Sequence, residues 1–356
     1  MKTKKTITPK AKRKRKVKKW KPKVKSDLHV AKIDNQNGDF DSVMNYNSHF
    51  TPHITKDIFK AGYKISNGGA CGRNRTGILL TILVISAPEH FKQRQAIRES
   101  WGDTKLFKEV AFSFFVGLSE NASVMVALEE ESKKYGDSII NNNVDLYQNL
   151  ALKSLSALSW IKQFCRKSHL LKVDDDMFVQ VERVLELIQS KVKRSSRLIL
   201  GNISRGWKPV RNPRSKYLIT EAQYGKEKYP DFATGPSYLV TSRAMTEMIS
   251  VALEQKYIHL EDVFLTGVVA ELLGITRVHV VQFKNNASRI PVQFMGCTLE
   301  HTITIHKVDP EEQSALYKLA TNPDCGNKGK KLVPFIPSKG NRTEQVKKPS
   351  NIVKQR

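Results

Sequence analysis

Leu171-Lys172-Val173-Asp174-Asp175-Asp176-Met177-Phe178 decides the fold: an apolar run, three consecutive carboxylates, then apolar residues again. Residues 170–173 read as a short buried strand and residues 178–191 as an amphipathic helix, so the acids stand at the end of a strand and before a helix. An open α/β sheet takes its ligands there, beyond the carboxyl ends of its strands. Three adjacent carboxylates repel one another, and a divalent cation with oxygen ligands relieves that cost. In an extended segment Asp174 and Asp176 point to one side and Asp175 to the other, which makes the outer pair a candidate metal and diphosphate site. The plainer alternative is a solvated acidic turn favoured by a helix dipole.

Upstream, residues 77–86 form a continuous run of β-branched residues and Leu, the pattern of a strand buried on both faces, and Pro88 and Glu89 end it. Residues 91–101 are helical in pattern and residues 110–116 are a second strand, a β-α-β beginning. Residues 123–135 and 149–165 have helical spacing, the second with Leu150, Leu152, Leu155, Leu158 and Ile161 mainly on one side. Downstream, residues 198–201, 236–241, 243–253, 262–273 and 278–283 continue as strand, strand, helix, helix and strand. This alternation predicts an α/β fold, a mostly parallel sheet flanked by helices on both faces.

The chain has 356 residues, 40% hydrophobic and 26% charged, enough for one large core or two modest domains. That composition excludes a disordered chain, a collagen or a small disulfide knot. The formal net charge of +26 is concentrated at the ends: residues 1–25 hold 14 Lys and Arg and no acid, and residues 327–356 hold nine against Glu344 alone. Between them 37 bases face 33 acids, so the body is nearly neutral. Residues 10–19 would pass for a nuclear localisation signal, and a basic arm binds polyanions without a fold. A dedicated nucleic-acid binder would carry a basic groove in the body too, so no nucleic-acid partner is expected. The organisation expected is a basic N-terminal segment and flexible stem-like linker over 1–75, one folded domain over 76–326 and a basic tail over 327–356.

No run approaches the roughly 20 apolar residues of a spanning helix, and the first 25 residues lack the apolar segment of a secretory signal. Two counts point the other way. Asn-x-Ser/Thr acceptors occur at Asn74, Asn121, Asn202, Asn286 and Asn341, which leans toward a lumenal protein. Cys71, Cys165, Cys297 and Cys325 form an even set without zinc-site spacing, compatible with two disulfides or with four buried thiols; all three pairings are open.

Several segments in order resemble the β-1,3-galactosyltransferase family, Golgi enzymes that use a UDP-sugar and invert its anomeric centre. Arg94-Gln95-Ala96-Ile97-Arg98-Glu99-Ser100-Trp101-Gly102 is similar to the family's Arg-x-x-Ile-Arg-x-Thr-Trp-Gly, and Phe115-Val116-Gly117 follows it. Asp145-Leu146-Tyr147-Gln148-Asn149-Leu150-Ala151-Leu152-Lys153 is similar to Asp-x-Tyr-x-Asn-Leu-Thr-Leu-Lys, and Asp174-Asp175-Asp176 to the Asp-x-Asp motif. Tyr229-Pro230, Gly235-Pro236-Ser237-Tyr238 and Glu261-Asp262-Val263 complete the series, which spans about residues 78–320.

The resemblance implies a GT-A-like single catalytic domain that transfers galactose from UDP-galactose to a sugar 3-hydroxyl of a glycoprotein or glycolipid glycan. It implies Mn²⁺ held by Asp174, Asp176 and His306, an imidazole donor that suits Mn²⁺ better than Ca²⁺. Arg94 and Arg98, four apart on one helix face, would meet the UDP phosphates or uracil; otherwise they are surface arginines beside Glu89 and Glu99. Lys153 and Lys172 are further phosphate candidates, with Asp174 and Asp175 at the donor. Asp262 is the implied base and Glu261 a supporting or acceptor-binding acid, the alternative being an ordinary helix cap. A donor switch to UDP-N-acetylglucosamine within the same fold is the competing enzyme reading. If Cys71 pairs with Cys165 and Cys297 with Cys325, both bridges close loops inside the catalytic domain. The family is usually anchored in the Golgi membrane with a lumenal catalytic domain; this chain shows a basic end and a stem without the anchoring helix, so its membrane association rests on resemblance.

Overall fold

The structure is a computed structural model that describes residues 52–71, 77–104, 107–193, 195–285 and 296–321. The first half contains α1 (Thr55–Ile58), β1 (Tyr63–Ile65), β2 (Leu80–Ser86), α2 (Phe91–Arg98), β3 (Val110–Leu118), α3 (Ala122–Tyr135), β4 (Ser138–Val144) and α4 (Leu150–Phe164). It continues with β5 (His169–Asp174), β6 (Met177–Val179), α5 (Val181–Lys191), β7 (Leu198–Ser204), β8 (Phe232–Val240) and α6 (Ser242–Leu253). Last come α7 (Val263–Val269, π-helical, running on through Ala270–Leu272), β9 (Thr276–His279), β10 (Phe283–Lys284), β11 (Thr304–His306) and α8 (Pro310–Thr321).

The main sheet has the order β1-β4-β3-β2-β5-β8-β7-β9. Strands β4, β3, β2 and β5 run parallel, β8 runs antiparallel between β5 and β7, and β9 is parallel to β7. All seven residues of β2 are buried, as its apolar run requires of a central strand. On one face Leu155, Leu158 and Ile161 of α4, Met245 and Met248 of α6, and Phe264 and Leu265 of α7 form a core. On the other, Ile97 of α2, Leu128 of α3, Val184, Leu187 and Ile188 of α5 and Leu316 of α8 form a second. Each such side chain contributes about 1.5–3 kcal/mol by leaving water. The mostly parallel sheet with helices on both faces is thus the observed architecture. A small sheet, β10-β11-β6, packs beside it.

Several elements differ from the sequence reading. Residues 55–71, assigned by composition to the stem, belong to the folded body: β1 pairs antiparallel with β4, and Thr55 donates through its N–H and its hydroxyl to the Gln255 carbonyl at 2.9 Å. Cys71 is joined to Cys165, which ties this segment to the end of α4. Strand β4 was hidden by three consecutive asparagines. Asn141 is fully buried and can be so because its amide donates to the Val116 carbonyl (2.7 Å) and its oxygen accepts from the Asn143 N–H (3.0 Å). Strand β8 starts at Phe232, four residues before the strand expected over 236–241, and runs through Gly235-Pro236. Phe178 lies in β6 rather than in the helix that follows, and residues 278–283 divide between two sheets. The helix expected over 91–101 ends at Arg98.

The expectations for residues 1–51 and 327–356, and the Cys297–Cys325 pairing, lie outside the described residues, as do the acceptors at Asn74, Asn286 and Asn341. Asn121 is exposed, with its side chain capping α3 by accepting from the Ser123 N–H at 3.0 Å, and Asn202 is half-buried on β7. Among the described residues, no helix is long and apolar enough to cross a membrane.

Candidate active site

The carboxyl ends of β2, β3, β4, β5 and β7 lie at one edge of the main sheet, and β8 enters there because it runs the other way. Ile85 pairs with Asp174, so the acidic triplet begins where β2 and β5 end together. Glu261 and Asp262 stand at the start of α7 against the first half of β8. The edge therefore gathers two groups of carboxylates from distant parts of the chain.

Asp174 is one-third exposed, and one of its oxygens accepts from Lys172 Nζ at 2.5 Å. Burial pushes its pKa up, against the opposing pull of Lys172. The strand stops at Asp174, so Asp175 and Asp176 form a turn rather than the extended segment expected from the sequence, and Asp175 Oδ2 lies 2.8 Å from His90 Nδ1. That hydrogen bond raises the His90 pKa against partial burial. His90, a lone histidine between strand and helix, had no motif to mark it in the sequence.

Asp176 meets His306. Strand β11 pairs antiparallel with β6, setting His306 opposite Met177 and its Nε2 3.2 Å from Asp176 Oδ2. His306 Nδ1 lies 3.2 Å from the Asn285 carbonyl and so carries the proton, which leaves the lone pair on Nε2. A lone pair facing a carboxylate oxygen needs a proton or a cation between them. Burial lowers the His306 pKa, but Asp176 and Asp174 outweigh it and the net shift is upward. Asp176 Oδ1 is buried without a hydrogen-bond partner, an acceptor left open beside an imidazole nitrogen. Carboxylate oxygen and imidazole nitrogen together fit a first-row divalent ion such as Mn²⁺. Among the described residues no three His, Cys, Asp or Glu side chains form a ready-made metal cage, so such an ion would depend on further oxygens from a ligand.

The cations have different tasks from those expected. Arg94 is fully buried and spends its guanidinium on Glu131 (2.7–3.1 Å), the Ser86 hydroxyl (3.0 Å) and the carbonyls of Ala87 (2.6 Å) and Pro88 (3.0 Å). Arg98 is held by Asp137 at 2.7 and 2.9 Å and Glu131 at 2.6 Å, against the rings of Phe114 and Tyr135. The acids that hold both come from α3 and the segment after it, not from Glu89 and Glu99. Arg94 instead fixes the loop that leaves β2. Lys153 is also buried, bridging the Ser86 carbonyl (2.7 Å) and Asp145 (2.5 Å), whose Oδ2 also accepts the Gly117 N–H at 2.9 Å. A side chain on Gly117 would strike Asp145 and the Asn143 carbonyl at 2.9 Å, so this junction requires glycine.

Lys172 is the centre of a buried network. Its ammonium donates to Asp174 and to the Gly235 carbonyl (2.6 Å) and lies 3.9 Å from Glu261 Oε2. Burial lowers its pKa, yet Asp174 and Glu261 reverse that, and the group stays charged. Glu261 accepts a short hydrogen bond from the Tyr238 hydroxyl, and its other oxygen has no hydrogen-bond partner. Burial, only partly offset by Lys172, pushes Glu261 up to about 7. Asp262 is half-buried and accepts the N–H groups of Gly235 (3.0 Å) and Val263 (2.9 Å), one on each oxygen. Burial raises its pKa and the two N–H groups lower it, with a net rise. Each oxygen keeps a further lone pair, so Asp262 is fixed without being saturated.

A sequence profile of the Galactosyltransferase family matches residues 92–281. The chain is 30% identical over 260 residues to beta-1,3-galactosyltransferase 1 of Mus musculus, covering 72% of this chain and 77% of that relative. It is 29% identical over 241 residues to beta-1,3-galactosyltransferase 5 of Homo sapiens, covering 66% and 76%. Among solved structures, galactosyltransferase LgtC in complex with donor and acceptor sugar analogues aligns at 12% identity and a TM-score of 0.34, covering 65% of this chain and 87% of that one. The assignment rests on the two sequence matches and the profile: this chain belongs to the galactosyltransferase family and is a glycosyltransferase.

Proposed function

We propose that the chain is a β-1,3-galactosyltransferase that moves galactose from UDP-galactose to a glycan 3-hydroxyl with inversion, with Asp262 as base and Mn²⁺ as cofactor. The observation that carries this reading is the pairing of two carboxylate groups across one sheet edge, Asp174 to Asp176 on one side and Asp262 on the other, tied together through Lys172 and Gly235. The acceptor oxygen attacks the anomeric carbon as the bond from that carbon to the UDP oxygen breaks, and the hydroxyl proton passes to Asp262. Two backbone N–H groups hold the Asp262 carboxylate in one orientation, and its raised pKa makes it a better base than an exposed aspartate. Asp176 and His306 would hold the metal with diphosphate oxygens, and the ion would offset charge on the departing UDP. Lys172 keeps the Asp174 carboxylate in place and compensates for the charge of Glu261.

The acceptor is a glycoprotein or glycolipid glycan, and the compartment is the Golgi lumen. The Cys71–Cys165 bridge supports an oxidising compartment of that kind. The test is UDP release by the full chain from UDP-galactose and other UDP-sugars, with Mn²⁺ and with a chelator. UDP release from UDP-galactose that the chelator abolishes is expected. Preference for UDP-N-acetylglucosamine would overturn the donor, and no release from any UDP-sugar by a folded sample would overturn the reading as a whole.

A further inference from the structure

Residues 205–231 connect β7 to β8 and leave the sheet at the same edge as the acidic triplet, since Ser204 pairs with Phe232 at the mouth of the two strands. Tyr217 in this loop is 47% exposed, and Tyr147, on the segment that follows β4, is 40% exposed. Two large aromatic rings left in water at this edge call for a reason, because burying such a ring stabilises by about 1.5–3 kcal/mol.

The two rings belong to one cluster. Lys216 Nζ lies 5.4 Å from the centre of the Tyr147 ring and 5.0 Å from that of Tyr217. The cluster is anchored to the segment that ends in Asp262: His259 Nε2 lies 3.1 Å from the Lys216 carbonyl, and its ring is 6.1 Å from that of Tyr147. The Tyr257 hydroxyl donates to the Gln148 carbonyl at 2.5 Å, fixing the backbone beside Tyr147. Burial first, and then the fields of Tyr217, Asp262 and Asp174, raise the Tyr147 pKa, so its hydroxyl stays protonated and able to donate. Tyr147 meets Lys216 and His259, the latter three residues before Asp262, whereas Asp176 and His306 are brought together by the pairing of β6 with β11.

We infer that Tyr147, Lys216 and Tyr217 form the acceptor subsite, receiving the pyranose ring whose 3-hydroxyl faces Asp262. This rests on the galactosyltransferase reading above. A pyranose has an apolar face of C–H groups that covers an aromatic ring and a rim of hydroxyls that needs donors and acceptors. The exposed rings supply the first, and the Tyr147 hydroxyl and Lys216 ammonium supply donors for the second. The loop thus sets which sugar is accepted, while the ends of β5 and β6 take the nucleotide.

The test is steady-state kinetics of the full chain with UDP-galactose and two probe acceptors, a benzyl β-N-acetylglucosaminide and a benzyl β-galactoside. Tyr217→Leu and Tyr147→Leu are expected to raise the acceptor KM by about three- to tenfold, the loss of one ring's stacking, with a much smaller change in the KM for UDP-galactose. Tyr217→Phe should restore the acceptor KM, which separates stacking from a folding defect. An acceptor KM unaltered in both Leu variants would overturn the subsite, as would a rise confined to the UDP-galactose KM. A wild-type chain that releases UDP from no UDP-sugar would instead overturn the galactosyltransferase reading on which the subsite depends.

Discussion

Asp262 and Glu261 are neighbours in sequence with different environments. Asp262 is half-buried and held by two N–H groups; Glu261 is 3% exposed and shielded by Tyr238 and Lys172. Replacing Asp262 with Asn keeps the shape and removes the proposed base, so transfer should fall about 10²- to 10⁴-fold while UDP binding, followed by calorimetry, persists. Near-normal transfer by that variant would reassign the base. Glu261 is raised from 4.5 to about 7, so the folded state favours its neutral form. Its contribution to stability is full below about pH 4.5 and is lost as pH rises through about 7. Melting temperature should therefore carry a downward slope across that window which Glu261→Gln removes; identical pH profiles for the two proteins would show that Glu261 is not shifted. At this scale the sequence supplied charge types and helical spacing but not partners. Arg94 and Arg98 share a face as their spacing requires, yet Glu131 and Asp137, more than thirty residues on, decide that the face is structural.

Among the elements, β2, β5 and the helices of both faces apart from α8 were legible because an unbroken apolar run or a 3.6-residue period leaves few alternatives, whereas the helix over Pro310–Thr321 was not read from the sequence. Strand β4 was not, because Ser-Ile-Ile-Asn-Asn-Asn-Val conceals a buried strand whose asparagines are satisfied by neighbours distant in sequence. Strand β1 was missed for a related reason: a three-residue edge strand gains its stability from β4 rather than from its own pattern. The Cys71–Cys165 bridge fastens the segment between β1 and β2 to the end of α4 across a sequence separation of 94. Cross-linking so long a loop lowers the entropy of the unfolded chain, so Cys71→Ser with Cys165→Ser should cost about 2–5 kcal/mol in denaturant unfolding. No change in the midpoint would mean that the segment is held by packing alone.

At the scale of the molecule, strand order brings the chemistry together. Because β8 runs antiparallel between β5 and β7, its first residues reach the edge where the parallel strands end, and Gly235 there holds Asp262 on one side and Lys172 on the other. The sequence showed the triplet at a strand end and the Glu-Asp pair at a helix start, each with an ordinary alternative. Their shared edge became visible only with the topology. The charge pattern likewise separates body from ends: most of the +26 lies in the two terminal segments, and the near-neutral body carries the sheet. In the proposed reaction, transfer proceeds by direct attack on the anomeric carbon with Asp262 as base. NMR of the product formed from UDP-galactose and a probe acceptor reads out the anomeric configuration and linkage that this attack fixes. A β-galactosyl residue on the 3-hydroxyl is the expected product; an α-galactosyl product would contradict the claim.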